Sequence, residues 1–454
     1  MTQDPRLIAM SIEQGIKTTT DFIQERSFED SRVGVLNLGC ARNLVDSQMI
    51  LGRLKRNGHR IVDIDCAEIA IVNTCGFIEE AKKESIDCIL DLIELKKQGK
   101  IKKIIVAGCL VERYAHELRE EFKEVDAFVG TPTLPQNQVP LQYRLTPRHF
   151  AYVKICESCF NQCSFCAIPK IKGKFSSRTI DSILAEVKDL DRRGVKEINV
   201  IGQDITAYGV DLYHTQSLAR LLKEIVQRTE HIRWIRLLYA FPAHTTDELI
   251  ELMANEEKIC KYIDLPLQHI SDPILKSMNR GISKQGTRDL IAKIRQKIPH
   301  GSLRTTFIVG FPGETDCDFH ELLEFVLRTR FERLGVFVYS KEEGTPAYHL
   351  PEQVPERIKK RRLDILMQKQ KEISREKQER FLGMRLNVLI EEKQKSNGSG
   401  PQGKENVYLG RTEYDAPEVD GLVYVTSPKA LKPGDFLPVE ITDTYEYDLA
   451  GECV

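Results

Sequence analysis

From Arg32 onward, short apolar runs alternate with amphipathic stretches. Runs at 33–38, 69–73, 104–107 and 126–129 predict buried strands. Helical patterns fill 44–57 and 78–97, the second with Ile86, Ile89, Leu90 and Ile93 at helical spacing. Such alternation predicts a parallel, doubly wound, flavodoxin-like sheet over 32–145. Pro132, Pro135, Pro140 and Pro147 then give the composition of a linker. A second series follows, with strands at 152–155, 198–201, 234–238, 262–265, 305–309 and 334–338 and helices at 180–192 and 217–228. Six strand–helix units predict a partial (β/α)6 barrel over 146–377, with its site on the loops after the strands. A basic helical stretch at 352–380 carries Lys359, Lys360, Arg361 and Arg362 and is expected to present a solvated face. Past it, strands at 386–390, 406–410, 422–426 and 436–441, with a turn at 397–401, predict a small C-terminal β-barrel over 378–454. Residues 1–31 form a polar extension with one expected helix around 5–22.

Composition narrows the class. The chain has 454 residues, 41% hydrophobic and 29% charged, with a formal net charge of −1. That is ordinary for a globular protein and gives no global basic field for nucleic acid. No apolar run is long enough to span a bilayer. The opening Met1-Thr2-Gln3-Asp4-Pro5 lacks a basic-then-apolar leader, so a cytoplasmic protein is expected. In that setting twelve cysteines point to metal or redox chemistry, not disulfides. The small barrel, from Phe381 onward, holds seven Lys and Arg against thirteen Asp and Glu, an excess of six acidic charges. Such a barrel should repel phosphate and attract a basic partner, through exposed carboxylates such as Glu413, Asp415 and Glu418.

The chemistry centres on Cys159-Phe160-Asn161-Gln162-Cys163-Ser164-Phe165-Cys166, just after a predicted strand. Three thiols in a C-x3-C-x2-C array can hold three irons of a four-iron cluster and leave the fourth open to a small chelating ligand. The competing reading is a structural zinc site, which needs four ligands. Cys156 could be the fourth, but one tight loop holding all four gives poor tetrahedral geometry. A second set is spread along the first sheet. Cys40, Cys75 and Cys109 lie 35 and 34 residues apart, each just beyond a strand. In a parallel sheet such loops share one edge, so the three thiols should converge as a second cluster site. Cys66 and Cys88 are expected to be buried as small hydrophobes.

The loops after the second series of strands are polar and glycine-rich. They are Gly202-Gln203-Asp204, Pro266-Leu267-Gln268-His269, Gly310-Phe311-Pro312-Gly313-Glu314 and Tyr339-Ser340. Glycines let backbone approach a bound cofactor closely. Gly202, Gln203, Asp204, Gln268, His269, Gly310, Gly313 and Glu314 are the candidate cofactor contacts, although a lone histidine like His269 is more often a satisfied core residue.

The cysteine loop and its setting resemble the radical S-adenosylmethionine (SAM) superfamily. With the N-terminal three-cysteine domain and the C-terminal barrel, the resemblance over 32–452 is to the methylthiotransferases. Leu38-Gly39-Cys40-Ala41-Arg42-Asn43 and Asn73-Thr74-Cys75-Gly76-Phe77-Ile78 are similar to the ribosomal-protein branch, the RimO type. The resemblance identifies the barrel as a TRAM domain, with Gly410-Arg411 and 416–421 matching. It implies two 4Fe-4S clusters and SAM. Cys159, Cys163 and Cys166 would hold the radical-generating cluster, and Cys40, Cys75 and Cys109 the sulfur-presenting one. It also implies insertion of a methylthio group at the β-carbon of an aspartate in small-subunit ribosomal protein twelve. An electron donor such as a flavodoxin or ferredoxin, and a sulfur donor, would serve the reaction. Two alternatives stand beside it: a transfer-RNA methylthiotransferase, which the acidic barrel disfavours, and a non-catalytic iron–sulfur scaffold, which needs no cofactor-shaped loops.

Overall fold

The computed structural model describes residues 31–394 and 406–454; the helix expected around 5–22 and the turn at 397–401 lie outside them. The described residues divide into two compact units. One contains the chain up to Leu145 together with Cys156–Phe160 and Cys166–Arg178; the other contains Thr146–Ile155, Asn161–Phe165 and Thr179–Val454.

In the first unit β1 (Arg32–Asn37), β2 (Arg60–Ile61), β3 (Ile69–Thr74), β4 (Lys103–Gly108) and β5 (Ala127–Val129) form one sheet in the order β2-β1-β3-β4-β5. The β1–β3, β3–β4 and β4–β5 pairings are parallel, so this is the flavodoxin-like order. Every residue of β3 is buried, which is why it reads as a continuous apolar run and not an alternating one. The helices α1 (Ala41–Arg56), α2 (Glu79–Lys97) and α3 (Cys109–Glu121) follow β1, β3 and β4. Ile89, Leu92 and Ile93 of α2 pack with Val72, Ile104 and Val106. The two-residue β2 escaped the sequence reading because Arg60–Ile61 is too short to show a period. Cys66 corrects an expectation: it ends a short 3-10 turn, Ile64–Cys66, and is exposed, while Cys88 is half-buried.

In the second unit β6 (Phe150–Lys154), β9 (Glu197–Ile201), β10 (Trp234–Leu237), β11 (Ile259–Asp264), β12 (Ser302–Val309) and β13 (Arg333–Val338) form a parallel sheet in sequential order, open between β6 and β13. The intervening β7 (Cys156–Glu157) and β8 (Ser176–Ser177) pair in the first unit. The basic helix, α4 (Glu356–Gln378), is not simply solvated. Lys359 and Arg362 are buried. Lys359 donates to the Tyr339 carbonyl at 3.0 Å, and Arg362 pairs with Glu314 at 3.0 Å. The Lys359 stem lies against Gly310 of the loop after β12, and both heads find buried acceptors, so half of the basic run packs inward.

The small barrel closes through five strands, in the order β14-β15-β16-β18-β17. They are β14 (Arg385–Lys393), β15 (Asn406–Arg411), β16 (Val423–Ser427), β17 (Phe436–Thr444) and β18 (Leu449–Cys453). The fifth, β18, is not among the strands the sequence pattern predicts: Ala450 and Gly451 give it little apolar signal, yet it joins β16 to β17 and removes the edge.

The segment after β15 enters the base of the six-stranded sheet. Fully buried Glu197 of β9 accepts from Arg236 of β10 at 2.8 Å and from Arg411 at 2.6 Å. Arg411 also meets Glu391 at 2.6 Å, and Glu391 reaches His149 at 2.6 Å. Arg333 of β13 pairs with Asp415, and Tyr262 of β11 donates to Asp420 at 2.6 Å. Burial opposes the charge on Glu197, but Arg411 and then Arg236 hold its carboxyl below the usual range. A (β/α) barrel interior is ordinarily filled by Val, Ile and Leu; here its base is filled by paired charges. This corrects the reading of the barrel carboxylates. Asp415 is buried in an ion pair, Glu413 is half-buried and accepts from the Lys261 backbone N–H at 3.0 Å, and Glu418, though exposed, accepts from Tyr152 at 3.2 Å. Reversing them breaks a seam and does not test steering. Exposed acidic charge on the barrel lies instead at Glu392, Asp443 and Glu452.

Candidate functional site: two three-cysteine centres

The first centre forms where β1, β3 and β4 end. Cys40 caps the start of α1, Cys75 directly follows β3, and Cys109 opens α3. Their approach depends on the glycines beside them. Gly39 has φ +89°, and a Cβ there would lie 3.0 Å from Cys75 Cβ and 3.2 Å from its Sγ. Gly108 has φ +101°, and a Cβ there would lie 2.3 Å from Asn73 Oδ1. Asn43 ties the three loops together. Its Nδ2 donates to the Leu38 and Thr74 carbonyls at 3.0 and 3.1 Å, and its Oδ1 accepts from Cys109 Sγ at 3.6 Å. Asn73 donates to the Asn43 carbonyl and to Ser47 Oγ, both at 2.8 Å.

The three thiols lie within one another's fields. Cys109 is pushed up to about 12, mainly by burial; Lys172 pulls against this, while Asp46, Cys75 and Cys40 add to it. Burial also raises Cys75, with Cys40 adding to the rise. At Cys40 burial is outweighed by the Arg42 guanidinium and by the backbone N–H groups of Asn43 and Arg42, so its thiol is held below the ordinary range. Among the described residues, no three His, Cys, Asp or Glu side chains stand close enough to share one metal ion. A single zinc wants thiolates about 2.3 Å from a common centre. A four-iron cluster binds each thiolate at a different iron and spreads them wider. Three thiols on glycine-relieved loops, Cys109 buried and Cys40 and Cys75 half-buried, fit the cluster.

The second centre is the local loop. On the side that belongs to the first unit, Ser158 has φ +62°, and its Oγ donates to the Gly173 carbonyl at 2.6 Å. Phe160 packs edge-on to Phe175 at 6.2 Å. Beyond Cys166 the chain forms a five-residue helix, Ile168–Lys172, and Ala167 and Ile171 pack against Cys109. The residue after the last loop thiol therefore touches the first centre. Lys172 is 1% exposed and reaches Asp46 of α1 at 2.7 Å and Glu157 at 3.8 Å. Burial opposes its charge, but Asp46, then Glu157 and Cys109, hold the ammonium well above the usual range. Cys156, the possible fourth ligand, is buried in β7 opposite Ser177.

On the side that belongs to the second unit, Cys163 accepts from Arg280 at 3.4 Å. Ser164 is held by the Met278 carbonyl at 3.0 Å and the Ser277 carbonyl at 2.7 Å, and Asn279 donates to the Gln162 carbonyl at 2.7 Å. Arg280 is a contact that sequence reasoning missed: a cation 117 residues from the thiol leaves no local signal.

The cofactor-shaped loops divide into occupied and open groups. Asp204 is committed internally: it accepts from Thr206 N–H at 2.9 Å, Asn161 at 2.7 Å and His244 at 2.9 Å. Glu314 folds back on the Gly310 and Phe311 N–H groups and onto Arg362, and burial pushes its carboxyl up to about 7 despite Arg362. Gly310 and Gly313 both take positive φ in this turn. His269 is fully buried, its Nδ1 accepts from Ser271 N–H at 3.0 Å, and burial pushes it down to about 3, so it stays neutral. Gln268 is different. Its backbone takes φ +72° and bridges to β12, while its buried Oε1 has no partner among the described residues. Gly202 and Gln203 follow β9 directly.

Comparison with known proteins agrees with this anatomy. Residues 153–326 match the Radical SAM superfamily, 32–130 match Uncharacterized protein family UPF0004 and 382–454 match the TRAM domain. A protein of Thermoanaerobacter sp. (strain X514), named ribosomal protein uS12 methylthiotransferase RimO, is 46% identical, covering 92% of this chain and 99% of its own. Proteins of the same name from Clostridioides difficile (strain 630) and Geobacter sulfurreducens are 44% and 45% identical, each covering 93% of this chain and 98% of its own. Among solved structures, the radical S-adenosylmethionine methyltransferase TsrM from Kitasatospora setae, with cobalamin and a 4Fe-4S cluster bound, aligns with a TM-score of 0.53 at 15% identity. It covers 70% of this chain and 77% of its own, and supports the fold alone. With relatives so similar over nearly their whole length, and all three regions matched in order, the chain belongs to the RimO family of radical SAM methylthiotransferases.

Proposed function

We propose that this protein inserts a methylthio group at the β-carbon of an aspartate in ribosomal protein uS12. Cys159, Cys163 and Cys166 hold one 4Fe-4S cluster and Cys40, Cys75 and Cys109 the other. The observation that carries the reading is the packing of Ala167, next to the last loop thiol, on Cys109 of the strand-end centre. When bound, the clusters and SAM supply electron transfer, radical generation, sulfur and methyl. The chain's own task is to hold, orient and exclude water. Asn43 and Asn73 fix the loops bearing the strand-end thiols. Arg280 offers Cys163 a positive charge. Gln268, with an unpaired buried carbonyl oxygen, offers an acceptor among the cofactor loops. A one-electron donor of the flavodoxin or ferredoxin kind and a sulfur donor complete the reaction. Among the described residues no helix is long and apolar enough to cross a membrane.

The acidic barrel supports a basic protein as the substrate, since opposite charges steer encounter more than they fix affinity. The test uses the anaerobically reconstituted chain with SAM, dithionite and sulfide, offered uS12 or transfer RNA in separate reactions. Mass spectrometry should find the methylthio group on a uS12 aspartate, and reversing Glu392, Asp443 and Glu452 together should slow uS12 association while cluster content holds. Modification of transfer RNA with uS12 left untouched overturns the substrate.

A further inference from the structure

A buried cation stands beside the strand-end centre for which cluster ligation alone gives no account. Lys172 and Asp46 form an ion pair at 2.7 Å with both side chains 1% exposed, and Glu157 stands 3.8 Å from the same ammonium, 13% exposed. Lys172 ends the short helix whose Ile171, with Ala167, packs on Cys109. Asp46 lies on α1, the helix that starts just after Cys40, so the pair bridges the elements carrying Cys40 and touching Cys109. A buried pair of this kind is a weak source of stability, because desolvating two charges costs about as much as their attraction returns. What it does supply is a buried ammonium, offset by Asp46, next to the side chains that pack on Cys109.

We propose that Lys172 is a positioning cation for the strand-end centre. It offsets the thiolate charge so that the centre can take one more anionic ligand of the hydrosulfide class, and Asp46 sets how much of that positive charge is expressed. This rests on the reading that Cys40, Cys75 and Cys109 hold a cluster. No bond to Lys172 forms or breaks: an anion approaches an open iron, and the ammonium lowers the electrostatic cost of its arrival. A unit charge about 10–12 Å away, at an effective dielectric constant of about 20, is worth roughly a tenfold change in such an affinity.

The experiment uses the full chain with Cys159, Cys163 and Cys166 replaced by Ala, so that iron and spin report the strand-end cluster alone. Its midpoint potential and its titration with sodium sulfide are followed by electron paramagnetic resonance. K172M should lower the potential and weaken sulfide binding about tenfold, D46N should move both in the opposite direction, and K172R should behave as the parent does. A purely structural pair predicts the same direction, loss, for K172M and D46N; that result, or no shift in either, overturns the proposal. If K172M fails to load iron, D46N decides alone, and an unchanged potential with unchanged sulfide affinity overturns it. A parent that never loads a cluster strikes the ligand assignment instead, so the two failures are told apart.

Discussion

The two sets of three cysteines are arranged in opposite ways along the chain. Cys159, Cys163 and Cys166 sit within eight residues of one another along the chain. Cys40, Cys75 and Cys109 span seventy residues and meet only because β1, β3 and β4 run parallel with neighbouring ends. Around the local centre, Ser158 reaches the Gly173 carbonyl and Ser164 reaches the more distant Met278 carbonyl. The distributed centre is secured by the sheet and by Asn43 and Asn73, which cross between loops. A local centre can therefore absorb backbone changes that a distributed one cannot.

The largest effects break the comparison outright. Replacing Cys159, Cys163 and Cys166 with Ala should remove one of two clusters, about half the iron, and abolish 5′-deoxyadenosine formation. Replacing Cys40, Cys75 and Cys109 should also remove about half the iron, yet leave 5′-deoxyadenosine formation under strong reductant and eliminate methylthio transfer. Iron analysis and chromatography of cleaved SAM check both. Continued SAM cleavage in the first variant, or normal thiolation in the second, refutes the division of labour.

The difference between the centres also governs what could be read from the sequence. The local spacing is visible directly, and the distributed one is legible because three cysteines follow three strands at nearly equal intervals. Most strands were legible because buried parallel strands are apolar runs; β2 and β18 were not, being too short or too rich in small residues. Long-range charge was the least legible feature. Nothing near Asp415 announces Arg333, nor near Cys163 Arg280, and the basic run at Lys359–Arg362 looks solvated until Glu314 is found beneath it. The barrel's acidic excess is legible as a sum but not in place, because composition does not distinguish a paired carboxylate from a free-facing one.

A smaller change sharpens the contrast. Gly39→Ala places a Cβ 3.0 Å from Cys75 Cβ in a backbone with φ +89°. A left-handed conformation costs a non-glycine residue about 1–2 kcal/mol, and the contact forces Cys75 aside. Strand-end cluster content should fall several-fold while the local cluster and 5′-deoxyadenosine formation persist. Full loading of both clusters in this variant would mean that the strand-end loops are less constrained than their packing indicates.

The smallest expected effect lies at the matching position of the local loop. Ser158 already takes φ +62°, a left-handed backbone that glycine adopts freely. Ser158→Gly relieves a strain of about 1–2 kcal/mol. It also removes the buried hydrogen bond to the Gly173 carbonyl, worth about 0.5–1.5 kcal/mol, and adds unfolded-state freedom costing up to about 1 kcal/mol. These terms nearly cancel, so thermal unfolding should move by only about 2–4 °C in either direction, with both clusters loaded and SAM cleavage close to the parent rate. The result to compare is the loss in Gly39→Ala. If Ser158→Gly empties the local cluster as Gly39→Ala empties the distributed one, the local centre depends on a single tertiary hydrogen bond, and its security does not come from the chain's local path.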